Sequence, residues 1–351
     1  MSIYLNPYMR SRQVDRKLCI ALVFSFIVLP YSSSLNLVCA QVSGGETINL
    51  ALTLWVPNFL AYVAQEKGYF EKNNVNVNLT LIQDYADAVR DYANGEADGM
   101  FIVYSDVIVQ DSEGIDTKVV YNIDTSYDAD AIIGSVNNLT EVKGKKVGVE
   151  GINTFSHLFM LKSLENVGLS EADVEFVNIL GQNVQEALIS NEIVAGHVYE
   201  PFVIEGVKKG FKILSTGADI PGVITNVLAF HSDIVKQRPL DVQNIIKSLI
   251  EAKEDYDNNS ERDVEIMSLK SGLSRDMIVE GLNNVMFLDL DYNDRYSMNK
   301  ELNDTLSLYN SGNSIAKFYA ERGVISEYPD IENIVDPKFV KELLMEKTQS
   351  Q

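Results

Sequence analysis

Apolar and polar positions along this chain alternate with two periods, and the switches between them predict its elements. Residues 48–54 (INLALTL) and 75–82 (VNVNLTLI) read as short strands flanking an apolar-periodic helix that closes at Lys67-Gly68. A second helix ends at Asn94-Gly95 and leads into an apolar run at 97–103. This strand–helix repeat predicts a parallel sheet. A short helix at 104–110 and a buried strand at 117–123 follow, then a polar cluster at 124–130 and an apolar run at 131–136. Further on, the spacing predicts strands at 146–150, 174–179, 195–199 and 211–215. Between them it predicts helices at 157–167, 184–190 and 202–209, the first closed by Gly168. Residues 227–230 form a fresh apolar strand. From Pro239 onward the pattern is amphipathic helix, at 242–256, 275–285 and 296–309. No solenoid repeat or low-complexity tract interrupts this order.

The amino terminus has a different character. Arg10, Arg12, Arg16 and Lys17 precede an apolar run at 18–29, then Pro30 and a serine-rich stretch, which is the pattern of a secretory signal over residues 1–40. The apolar run is too short to cross about 30 Å of hydrocarbon, so export and cleavage are expected. Val38-Cys39-Ala40 fits a small-residue processing site that would leave Gln41 first. A lipid on Cys39 is the rival reading, against which stands the size of Val38. The location expected is therefore periplasmic or cell-surface. The other cysteine is Cys19, so the domain after the leader has no disulfide, thiolate nucleophile or cysteine-based zinc site.

With 351 residues the chain can bury a substantial core in one to three compact units. The net charge of -21 makes a self-repelling exterior that would be driven off nucleic acid and anionic membranes, and a monomer is expected. The three histidines, His157, His197 and His231, show no paired metal spacing, and no metal or cofactor is expected.

Trp55-Val56-Pro57-Asn58 after the first strand, Ala64 through Gly68-Tyr69-Phe70, and Gly95-Glu96-Ala97-Asp98-Gly99 carry a resemblance to a known family. They resemble the opening of the nitrate, sulfonate, taurine and thiamine-precursor group of substrate-binding proteins. This is the NMT1/THI5-like family, of the type II periplasmic-binding-protein fold. The resemblance covers roughly residues 46–260. It implies an α/β fold of two Rossmann-like lobes joined by two crossover segments. Lobe I would start at 46–127, lobe II would be 128–226, and 227–347 would return to lobe I as a strand and carboxy-terminal helices. The crossovers would then lie in the polar cluster 124–130 and near 216–226. The function implied is capture of a small molecule (a sulfonate or taurine, a nitrate-like anion or a thiamine pyrimidine precursor) and delivery to an ABC transporter permease. No chemistry is performed on the ligand.

In open α/β sheets ligands lie beyond the carboxyl ends of the strands, and that rule picks the loops without any family. It selects Trp55, Asn58 and Phe59, then Gln83, Asp84 and Tyr85, then Tyr104, Ser105 and Asp106. Opposite them it selects Asn153, Thr154, Phe155 and Ser156, Tyr199 with Glu200, and Asn226 near the hinge. Trp55 is the sole tryptophan and offers a flat face with one N–H donor, although a core or lid aromatic would look the same. The 151–156 loop precedes a helix, so its amides suit an anion, while simple capping by Thr154 or Ser156 explains the same pattern. Glu200 beside Pro201 is either a ligand acceptor or a first-turn acid. Aromatics and carboxylates around one cleft favour a flat or amine-bearing ligand, since no basic residue lies in these loops.

Two other classes compete. An extracellular ligand-sensing receptor domain would share the cleft but signal to a membrane partner. A pyrimidine synthase of the THI5-like kind would share the fold, but that family carries a cysteine-rich motif that this chain lacks. No GxSxG nucleophile turn occurs either.

Overall fold

The computed structural model describes residues 45–349, so the leader at 1–40, Cys39 and its processing site lie outside the described residues. The strands are β1 (Ile48–Leu52), β2 (Val77–Leu81), β3 (Gly99–Val103), β4 (Thr117–Ser126), β5 (Asp130–Gly134), β6 (Lys146–Val149), β7 (Glu175–Asn178), β8 (Ala195–Tyr199), β9 (Lys212–Thr216), β10 (Thr225–His231) and β11 (Val285–Phe287). The helices up to β10 are α1 (Leu60–Glu66), α2 (Tyr69–Lys72), α3 (Tyr85–Ala93), α4 (Tyr104–Ser112), α5 (Phe155–Asn166), α6 (Val184–Ile189) and α7 (Phe202–Lys208). After β10 come α8 (Ser232–Gln237), α9 (Pro239–Ser271), α10 (Arg275–Asn283), α11 (Leu290–Tyr292), α12 (Leu308–Glu321), α13 (Ile331–Ile334) and α14 (Lys338–Gln349).

Two sheets result. The first has the order β11-β4-β10-β3-β1-β2 and the second β7-β6-β8-β5-β9. Each contains a parallel trio, β2-β1-β3 or β7-β6-β8, with an antiparallel strand against its third member. The strand–helix pattern foretold only the parallel part. The antiparallel strand is the one that arrives from the other sheet, β10 in the first and β5 in the second, and an incoming chain runs the opposite way. The links pass from Ser126 to Asp130 and from Thr216 to Thr225, and they touch each other. A Cβ on Gly217 would stand 2.9 Å from the carbonyl oxygens of both Ser126 and Tyr127, so glycine is needed there.

Helices cover the sheets, which is why β3, β5 and β8 are buried at every position and β3 reads as an unbroken apolar run. The helix α9 presents Val242, Ile245, Ile246, Leu249 and Ala252 to the core and bends at Asn259. At that bend Lys67 bridges Asp255 and Asp263, each at 2.5 Å, tying α9 to the end of α1.

Two expectations fail in the carboxy-terminal third. Residues 296–309 are not a helix, because Asn299 and Asp304 accept from the following amides of Glu301 and Leu306 and hold turns instead. The helix begins only at Leu308. The expected helix at 275–285 stops at Asn283, after which β11 pairs with β4.

Candidate functional site

The polypeptide leaves β1 through Thr53 and Leu54, and Trp55 precedes a buried single turn, Val56–Phe59, with Pro57 near its start. The indole Nε1–H of Trp55 donates to both carboxylate oxygens of Asp124, at 3.2 and 3.1 Å. Asn226 Nδ2 donates to Asp124 Oδ2 at 3.2 Å and to Asn58 Oδ1 at 2.8 Å. Asn58 in turn reaches Thr53 Oγ1 at 3.5 Å. A polar chain thus runs from β1 through β10 to β4, and it fixes the indole. Loss of water around Asp124 pushes its carboxyl up to about 7, against the pull of the Trp55 and Asn226 donors.

Beside it, the phenol of Tyr85 donates to Asp106 Oδ2 at 2.6 Å and accepts from the Val103 amide at 3.0 Å. Burial likewise raises Asp106 to about 7, while Tyr85 and the backbone N–H of Phe155 hold it down. That last group belongs to the second sheet's side, so Asp106 feels both sides of the cleft.

The opposite wall comes from Phe155 at the start of α5, Tyr199 at the end of β8 and Asp130 at the start of β5. Tyr85 and Phe155 meet edge to face at 4.9 Å, and Trp55 and Tyr199 at 6.3 Å. Together with Thr53, Gln83, Val103, Ile224 and Asn226 these residues line a narrow slot. The cavity they leave is only about 30 Å³. The walls are nearly in contact. No Lys or Arg lines the slot.

Acids stand just behind the lining. Glu150, at the end of β6, is raised to about 8 by burial and then by the nearby Asp84, Asp130 and Asp106. Its Oε2 has no hydrogen-bond partner among the described residues. Asp130 is 1% exposed; its Oδ1 lies 3.0 Å from His197 Nε2, and its Oδ2 is without a partner among the described residues.

Of the residues selected from sequence, Trp55, Gln83, Tyr85, Phe155, Tyr199 and Asn226 line the slot. Asn58, Ser105, Asp106 and Ser156 are buried behind it. Asn58 and Asp106 act as described, and Ser156 Oγ accepts the Glu150 amide at 2.9 Å. Others point elsewhere. Phe59 packs in the core near Tyr62, and Tyr104 donates its hydroxyl to the Leu308 carbonyl at 3.0 Å. Asn153 is exposed with a φ of 66°, and the Thr154 hydroxyl turns back to the carbonyls of Glu150 and Gly151. Glu200 accepts from Asn284 Nδ2 at 2.7 Å and from the Ile204 amide, as a first-turn acid would, and burial raises it to about 7.

Sequence reasoning passed over Thr53, Val103, Ile224, Asp124 and Asp130. The two aspartates had a visible signal, being the ends of the 124–130 cluster, but that cluster reads as a turn. Both lie in strands, within β4 and β5.

The family model described as NMT1/THI5 like matches residues 57–261. A putative thiamine biosynthesis protein of Haemophilus influenzae is 30% identical over 139 residues, which is 38% of this chain and 44% of that protein. The chain therefore spans less than half the length of the curated relative it matches. The structure is similar to the periplasmic aliphatic sulphonate binding protein SsuA from Escherichia coli, with a TM-score of 0.69 and 15% identity. The match covers 84% of this chain and 93% of that one. It is also similar to the desulfurization enzyme DSZB, with a TM-score of 0.62 and 16% identity over 86% of this chain and all of that one. At such identities the likeness is one of fold, and that fold hosts both binding and catalysis.

Proposed function

Because this chain belongs to the NMT1/THI5-like family, we propose that it is an extracytoplasmic solute-binding protein that captures one small molecule and delivers it to an ABC importer. Residues 46–127 with 227–347 would form one lobe and 128–226 the other, and hinge closure would bury the ligand between them. The observation that carries this reading is the slot itself. Its walls are aromatic, they come from the strand ends of two different sheets, and both links between the sheets lie beside it.

An enzyme is the second reading, favoured by the likeness in fold to DSZB. Against it stands the lining, whose hydroxyl, amide and carboxylate groups have no cysteine among them, the chain's two cysteines being Cys19 and Cys39.

Thermal shift of the purified protein tests the proposal against taurine, alkyl sulfonates, nitrate, amino-pyrimidines and amino acids. A ligand at about one hundred times its dissociation constant adds roughly 2.7 kcal/mol of stability. A shift with one class and no conversion of that compound on prolonged incubation supports transport capture. Conversion of the compound would move the assignment to an enzyme.

A further inference from the structure

The slot's polar character is lopsided. Asp130 lines it, and the acids Asp84, Asp106, Asp124, Glu150 and Glu200 lie on the elements around it, with no basic side chain in the lining. Most of these carboxylates are already engaged: Asp124 by Trp55 and Asn226, Asp106 by Tyr85 and Glu200 by Asn284. Glu150 and Asp130 each keep a buried oxygen without a partner among the described residues, and of the two Asp130 lines the slot. One oxygen of Asp130 faces His197 Nε2, its backbone amide donates to Ser126 Oγ at 2.8 Å, the other oxygen is buried and unpartnered among the described residues, and the residue lines the slot.

His197 explains the posture. Its ring is wedged against Phe155 and Phe159, and its Nδ1 has no partner among the described residues. The hydrogen therefore belongs on Nε2, where it donates to Asp130 Oδ1. The carboxylate is thus fixed through one oxygen and leaves the other as a bare acceptor. A buried acceptor left without a donor is costly, and a ligand that supplies the donor recovers that cost.

We propose, building on the solute-binding reading, that the slot selects a flat ligand with a cationic, amidinium-type N–H edge. That edge docks on Asp130 Oδ2, and the ring enters between the Trp55–Tyr199 and Tyr85–Phe155 pairs. The same arrangement rejects sulfonates and nitrate, whose oxygens would face a carboxylate. Asp130 is the specificity residue and His197 its positioning residue.

Three probes share one ring and differ only in the head group: benzamidine, benzamide and benzenesulfonate. In calorimetric titration of the whole protein, benzamidine is expected to bind roughly 10- to 100-fold more tightly than benzamide, the scale of a charge-assisted hydrogen bond, and benzenesulfonate not at all. Asp130→Asn keeps the oxygen that His197 bonds and replaces the bare acceptor with a donor. It should erase the benzamidine preference and let benzenesulfonate bind. His197→Phe should lower the benzamidine-to-benzamide ratio, which loss of packing alone does not move.

Benzenesulfonate binding to the unmodified protein as well as benzamidine does overturns the cation edge and leaves the solute-binding reading standing. Equal affinities for benzamidine and benzamide overturn it too, without any variant having to fold. Failure of all three probes alongside a hit among the anions of the wider panel overturns the cation edge alone, and failure of both sets overturns both readings.

Discussion

The two loops that face each other across the slot follow strands of matching place, β1 and β6, yet they are held in different ways. The loop after β1 is buried almost throughout, and its side chains reach β4 and β10 through Asp124 and Asn226. The loop after β6 is held by its own chain. Gly151 and Asn153 sit at positive φ, Ile152 is 53% exposed, and Thr154, Ser156 and His157 bond the local backbone. One wall is therefore set by tertiary structure and the other by local turn chemistry. Disturbing the first should cost the fold, and disturbing the second should cost mainly the loop.

The largest expected effect is that of pH, and it tests the buried acids on both sides. Asp106, Asp124, Glu150 and Glu200 have native pKa values raised above those of the unfolded chain. Between about pH 4 and 8 the folded protein holds protons that the unfolded chain releases, so stability falls as pH rises. Asp124 alone contributes at most about 4 kcal/mol of this fall. Urea denaturation from pH 5 to 8 should show the decline, and Asp124→Asn should flatten it; a profile that rises with pH would refute the burial argument.

Next in size, Asn226→Ala strips a donor from both Asn58 and Asp124, and a loss of about 2–4 kcal/mol in urea denaturation is expected. Trp55→Ala should weaken ligand binding by about 1–3 kcal/mol in calorimetry, and unchanged affinity in a folded variant would take the indole out of the site. Smallest is Gly151→Ala, where a φ of 94° and a Cβ 2.9 Å from Thr154 Cγ2 strain only the second loop. About 1–2 kcal/mol is expected, with the difference from Asn226→Ala measuring how far the two walls differ.

The alternation of strand and helix was legible in the sequence because each element carries its own period. The exchange of β5 and β10 between sheets was not, since strand order is decided by partners far along the chain. Residues 296–309 misled for a related reason. Leu302, Leu306 and Tyr309 recur at helical spacing, but Asn299 and Asp304 compete for the backbone and win. In the site, the aromatics could be read from their position at strand ends. Asp124 and Asp130 could not, because their partners Trp55 and His197 lie 69 and 67 residues away. Acids in a polar stretch look like solvent-facing turn residues until the sheet closes over them.

Arg322, just past α12, stacks on the Phe318 ring and pairs with Glu165 in α5 and Glu171 ahead of β7, while α12 itself is anchored to α4 by the Tyr104–Leu308 bond. These charges are partly exposed, 26% for Arg322 and 42% and 49% for the glutamates. Dissolved ions therefore screen them. Apart from the two links between the sheets, these side chains form an electrostatic clasp whose strength is set by the medium. On the proposed solute-binding reading, ionic strength becomes a control on how fast the cleft opens to a ligand: the association rate of even an uncharged ligand should climb with added salt.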